Sequence, residues 1–140
     1  MQINIDIDVS DCKLDTEEML KAVGRELEKA SYKMERTAKE HVPEEYEESS
    51  GDLRRSITAS QVSLLEYKVA TNVDYALYIE EGTTPHIIEG NPILHWERYG
   101  EHHYATSVHH TGNIAYQYMD TALETHSDDL EERIRKAIKL

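Results

Sequence analysis

Hydrophobic and polar positions change their period along this chain, and each change marks an element. From Gln2 to Ser10 they alternate, with Ile3, Ile5, Ile7 and Val9 on one side and Asn4, Asp6 and Asp8 on the other. Period two with β-branched residues predicts a strand with one wet face, whose acidic row discourages stray edge pairing. The period then lengthens. Leu20, Val23, Leu27, Ala30, Met34, Ala38 and His41 recur at steps of three and four, one apolar stripe bounded by Pro43. Asp15 is placed to cap this helix, Glu18 to complete a capping box, and Leu14 to staple onto Met19. Such a stripe fits a coiled coil or a helix laid across a sheet, and the strands that follow favour the sheet.

Residues 43–52 are rich in Glu and Ser and read as a solvated loop. Leu53–Leu65, most clearly from Ser56, and Tyr67–Thr71 then predict an antiparallel hairpin turning near Glu66. Asp74–Glu81 predicts a short helix capped by Asp74, with Tyr75, Tyr78 and Ile79 on one face and Gly82 as its left-handed stop. About two turns do not hold alone, so this aromatic face should pack on a neighbour. Thr84 to Ala105 is punctuated by Pro85, Gly90, Pro92 and Gly100, with short strands expected at Ile87–Ile88, Ile93–Glu97 and His103–Thr106. A last helical pattern carries Ile114, Tyr118, Ala122 and Leu123. Ser127 or Asp128 can cap a renewed turn carrying Leu130, Ile134, Ala137 and Ile138, which leaves one bent helix or two open. The expected architecture is α+β: an antiparallel β-sheet of about four to five strands packed against a long N-terminal helix and a C-terminal helix, in a single domain over residues 1–140.

Charge narrows the function classes. The 140 residues hold 28 acids against 15 bases, a net of −13, with a pI near 4.9. Gripping nucleic acid requires a basic face that releases phosphate counterions, and the pattern offers none. No apolar run approaches a membrane span and no leader is visible, so a soluble protein is expected. One cysteine, Cys12, excludes an internal disulfide and a cysteine-cluster zinc site. Dense carboxylates, with nine tyrosines and no phenylalanine, also fit adaptation to a saline, halophilic host; a fold that loosens in low salt would support this and salt-independent melting would oppose it.

Eight histidines raise the question of a metal, and six of them lie between His86 and His110. Adjacent pairs such as His102-His103 and His109-His110 point to opposite strand faces, so each offers one ligand per side. Serines lack a nucleophile elbow, the six glycines are scattered, and carboxylate pairs carry little information in so acidic a chain. The reading is therefore non-enzymatic, without cofactor or metal; a small metal-dependent enzyme is the alternative from another class. Histidines at an interface would weaken assembly as pH falls through about 6.5. Arg54 and Arg55 read either as a solvated pair or as forks to carboxylates of the next subunit. Tyr75 and Tyr78 read as core plugs or interface anchors.

The run Thr71-Asn72-Val73-Asp74-Tyr75-Ala76-Leu77-Tyr78-Ile79-Glu80-Glu81-Gly82-Thr83 resembles the central signature of the head–tail joining, or tail-completion, proteins of long-tailed phages and archaeal tailed viruses. Gly51-Asp52-Leu53-Arg54-Arg55-Ser56-Ile57 precedes it in family order. Pro85-His86-Ile87-Ile88, Leu94-His95-Trp96 and Ser107-Val108-His109-His110-Thr111-Gly112 follow. The likeness spans about residues 15 to 126. Thr111 stands where many relatives carry proline, and Asn113–Tyr118 replaces a proline-rich approach to the last helix. The resemblance implies a virion structural protein of the neck, a ring-forming connector or tail-completion component, most often a hexamer, that joins the capsid connector to the tail tube. A tail terminator or stopper ring is the alternative within that class. Implied partners are copies of itself and the other neck, connector and tail proteins, with DNA passing through an acidic lumen without specific binding. Assembly would take place in the host cytoplasm. Candidate subunit-interface residues are Arg54, Arg55, Tyr75, Tyr78, Glu80, His86, Trp96, His109 and His110, and segments 43–52 and 84–110 are expected to meet the rings above and below.

Overall fold

The computed structural model describes residues 2–44 and 51–139; residues 45–50 of the acidic loop lie outside them. Helix α1 (Thr16–His41) begins as its cap predicts, with Asp15 accepting a hydrogen bond from the Glu18 N–H at 2.8 Å. It stops at Val42, ahead of Pro43. The strand expected from Leu53 begins only at Thr58, because Asp52–Ser56 forms a helical turn, α2, that buries Leu53; β1 (Thr58–Ser63) and β2 (Glu66–Ala70) then form the expected antiparallel hairpin. Then come α3 (Ala76–Glu81), β3 (His86–Arg98), β4 (Glu101–His110), α4 (Tyr118–Ser127) and α5 (Leu130–Ala137). The C-terminal pattern is thus two helices, not one bent one.

The apolar stripe makes α1 the spine of two adjoining cores. Toward its C-terminus, Ala38 and Val42 meet Leu53, Ile57, Ala76, Ile79, Tyr118 and Ala122. Toward its N-terminus, Ala30 meets Leu130, Ile134 and Ile138, with Val23 and Leu27 alongside, and Met34 touches both clusters. Helix α1 therefore packs against α4 and α5 as well as against the β1–β2 hairpin. One polar clasp fixes β1 to it: the Glu35 carboxylate accepts from the Ala59 N–H at 2.7 Å and from Lys39 at 2.5 Å. The Lys39 bond first, and the Ala59 bond second, hold the Glu35 carboxyl below its usual range.

The α+β class is as expected, but the sheet is not. Four strands form two separate two-stranded ladders, β1–β2 and β3–β4, instead of one sheet of four to five strands. The N-terminal alternation survives in burial, since Ile5 and Ile7 pack on the core around Ala30, Leu130 and Ile134 while Asn4, Asp6 and Asp8 are exposed. Residues 2–9 nevertheless form no strand, because they lack a ladder partner among the described residues. Pattern specifies which side of a segment is apolar, not whether a neighbouring backbone is there to pair with it.

Candidate functional site

The signature around residues 71–84 works as a clamp inside the molecule. Ala76 and Ile79 are the buried residues of α3, and the Tyr118 hydroxyl donates to the Ala76 carbonyl at 3.3 Å. Beyond them the chain is stitched to the start of α4. Tyr116 N–H donates to Ile79 O at 3.0 Å and Gln117 N–H to Glu80 O at 3.1 Å. These bonds, with Gln117 at φ 49°, hold residues 114–117 out of the helix that Ile114 was expected to open. Helix α4 has no side-chain cap of its own at Gln117. Glu80 supplies one from across the junction, accepting from the Met119 N–H at 2.9 Å and the Asp120 N–H at 3.0 Å. A carboxylate on the free amides of a first helical turn satisfies orphan donors and complements the helix dipole. Glu80, a candidate interface residue, thus caps a helix of its own chain.

Two chain crossings complete the clamp. Thr83 and Asn113 form an isolated antiparallel bridge, with N–H to O distances of 2.9 and 3.1 Å. Gly82 ends α3 as anticipated, but with φ 75° and ψ 178° it is extended beyond the left-handed helical cap expected, and a Cβ there would collide with the Asn113 carbonyl at 2.6 Å. At Gly112 (φ 84°) a Cβ would come still closer to the Thr83 carbonyl, so both positions need positive φ and a bare backbone. The signature holds two strands at one point.

Those strands leave the clamp as a long arm. β3 and β4 pair from His86↔His110 to Arg98↔Glu101, and the two-residue turn Tyr99-Gly100 has positive φ at both positions, as a tight right-twisted hairpin demands. The short, separate strands expected between residues 84 and 106 are thus one continuous ladder. Gly90 and Pro92 do not break it. They sit in a bulge where four residues, Gly90 to Ile93, lie opposite the single Thr106, with a cis Asn91–Pro92 bond. Among the described residues the arm makes no extended contact with another element.

Its two faces differ. By register, one carries His86 opposite His110, Ile88 opposite Val108, His95 opposite Tyr104 and Glu97 opposite His102. His86 and His110 rings lie 5.0 Å apart; His95 stacks on Tyr104 at 4.7 Å and meets His102 through a 3.0 Å Nε2···Nδ1 hydrogen bond. The other face carries Ile87 opposite His109, Leu94 opposite Ala105, and Trp96 stacked on His103 at 5.4 Å. Ile87, Ile93, Trp96 and Tyr104 remain exposed. The adjacent histidines fall on opposite faces, and among the described residues no group of three or more His, Cys, Asp or Glu could hold a metal ion.

The structure separates the nine candidate interface residues into three places. His86, Trp96, His109 and His110 are on the arm, where His110 Nδ1 also accepts from the Gly112 N–H at 3.1 Å. Tyr75, Tyr78 and Glu80 belong to the clamp. Arg54 and Arg55 are on α2: Arg54 Nη2 donates to the Val42 carbonyl at 3.1 Å, tying α2 to the end of α1, and Arg55 pairs with Asp52. Of the face expected to carry Tyr75, Tyr78 and Ile79, only Ile79 turns inward. Tyr75 and Tyr78 are 37% and 58% exposed, while Ala76 and Ile79 face the core, so neither tyrosine is a core plug. The helix also starts at Ala76 without a side-chain cap from Asp74. Tyr118 is 1% exposed and belongs to the core at the C-terminal end of α1; burial pushes its hydroxyl pKa up to about 12. Its place in the final apolar pattern was visible, its bond to Ala76 was not.

A family model matches residues 13–82, half of the chain, and carries the description of bacteriophage HK97 gp10, a candidate tail component. The matched stretch runs from the start of α1 through the clamp glycine and stops before the arm. No curated protein and no solved structure matches the chain.

Proposed function

Because this chain belongs to the HK97 gp10-like family of tail components, we propose that it is a ring-forming neck protein, joining the capsid connector to the tail tube around the DNA channel. Family membership makes it a structural part of the phage tail or neck, and thus of the virion, in contact with other tail and neck proteins. The ring, its sixfold symmetry and its place between head and tail are our reading. So is the assignment of all 140 residues to one neck domain.

The observation that carries the reading is the arm. A two-stranded hairpin is marginal in water on its own, yet this one holds isoleucine, tryptophan and tyrosine side chains away from its own body. Such an element suits a protein completed by its neighbours. A head-to-tail contact repeated by rotation closes into a ring with a central hole. With a net charge of −13 such a ring would repel DNA phosphates, favouring passage over capture. Nothing in this role requires bond chemistry, a cofactor or a membrane, and no described helix is long and apolar enough to cross one. Imaging the necks of purified particles tests the reading: density for this chain in a closed ring between head and tail supports it, and particles lacking the chain refute it.

A further inference from the structure

We propose that the body carries an acceptor groove for a β-strand and that its occupant is the β3 segment Ile93–Glu97 from the arm of a second copy. This rests on the ring reading above and specifies how copies would join.

The groove has a volume of about 970 Å³ and opens between the N-terminal segment and β2, with α1 as its floor. Every residue from Leu65 to Val69 lines it, and so does every residue from Gln2 to Ile7. Successive residues of an extended segment point to opposite faces. The N-terminal segment and β2 therefore both border this space along their length.

Backbone geometry shows that the β2 edge is open for pairing. The Ala59 N–H donates to Glu35 and so points away from β2, although Ala59 is paired with Val69. In an antiparallel ladder, opposed residues that do not exchange hydrogen bonds both turn their N–H and C=O outward. Val69, and by period two Tyr67, therefore aim their backbone groups away from β1 and into the groove. Among the described residues no backbone partner meets them there. β3, already paired with β4 along one side, would gain ladder bonds with β2 through its free edge, in the manner of β-augmentation.

The arm supplies a strand of matching pattern. Leu94 and Trp96 share one face and His95 and Glu97 the other. With Leu94 and Trp96 turned toward Val23, Leu27 and Met34 on the floor, His95 and Glu97 face solvent as Lys68 does. Charge agrees. Three of the 28 acids and one of the 15 bases lie in residues 86–110, leaving 25 against 14 and a net of −11 elsewhere. The arm is the near-neutral part that can approach another copy's acidic body, and its imidazoles suit the groove-lining acids Asp6, Glu66 and Asp120.

Cysteine pairing on the full chain tests this. In a Cys12→Ser background, copies carrying Lys68→Cys are mixed with differently tagged copies carrying His95→Cys or Glu97→Cys, all at exposed positions, and oxidised. A disulfide requires Cα atoms within about 7 Å. We expect a mixed-tag dimer, and its loss when Trp96→Asp is added. That substitution alone should weaken self-association about 30-fold, as removal of a buried aromatic anchor does, with no change in melting of the body. If the thiol of Lys68→Cys instead couples to that of Asp6→Cys placed in the same chain, the N-terminal segment closes the groove itself and the proposal fails. If closed rings form without the mixed dimer, strand insertion is wrong while the ring reading stands. If the chain stays monomeric and particle necks contain no ring of it, both fall.

Discussion

Ile57 and Ile87 are the same residue type thirty positions apart, and the molecule treats them oppositely. Ile57 is fully buried among Leu53, Ala76 and Tyr118, whereas Ile87 is 64% exposed on the arm. The body encloses Ile57 and its core neighbours between α1, the C-terminal helices and the first hairpin, although it too leaves Val62, Leu64, Leu77 and Ile114 exposed. The arm encloses none of its own, and is held by its ladder, its ring stacks and the clamp at its base. Equal hydrophobicity therefore has two outcomes here: in the core it is the driving force for folding, and on the arm it stays at the surface, where the proposed ring would use it.

Mutating the two isoleucines should expose this contrast most sharply. Ile57→Ala is expected to remove about 2–5 kcal/mol of stability through lost burial and a cavity, and Ile87→Ala less than about 0.5 kcal/mol, both read by denaturant unfolding. Equal losses at the two sites would mean that the free arm already packs on the body. The clamp between the regions comes next. Glu80→Ala should cost about 1–2 kcal/mol, since two amides at the start of α4 lose their acceptor, and Glu80→Gln should recover part of this. Hydrogen exchange should quicken at Met119 and Asp120 and leave α1 unchanged.

How much of this contrast is readable in the sequence follows from how local each signal is. The start of α1 needs only Asp15 and the amide three residues on, and its stripe is a property of one segment, so both are legible. The arm is not. Its bulge sets four residues against one, so Ile87 and Leu94 lie on the same face although an odd number of positions separates them. A period-two reading fails across that slip, and Gly90 and Pro92 look like breaks. In α3 the tyrosine spacing indicates a face correctly as geometry, but the burial of Ala76 and Ile79 depends on Tyr118, about forty residues away. Glu80 reads as the end of its own helix, because its true partners belong to another one. The N-terminal alternation is real, and only its pairing partner is absent among the described residues.

Two smaller effects concern the body alone. Tyr118→Phe should cost about 1 kcal/mol by deleting the bond to Ala76. Burial raises the Tyr118 hydroxyl to about 12 in the fold against about 10 when unfolded, so the unfolded chain releases this proton first. Stability should therefore fall as pH rises from about 10 toward 12, and the Phe variant should lack that part of the slope in alkaline melting curves. His126 gives the smallest and opposite effect. Burial first, then Lys33 and Arg133, lowers its pKa, and its Nε2 lies 2.7 Å from the Thr37 hydroxyl joining α4 to α1. The neutral ring is favoured in the fold, so its contribution is complete above about pH 6.5 and is lost as pH falls through the depressed value. His126→Gln should flatten acid melting in that window.

Hydrogen exchange across residues 86–110, compared between the free chain and assembled particle necks, probes the division of labour between body and arm most directly. The expected result is rapid exchange along the arm's outer edges in the free chain and strong protection after assembly, with α1 and α4 slow in both states. An arm equally protected in both states, or equally exposed in both, would contradict that division.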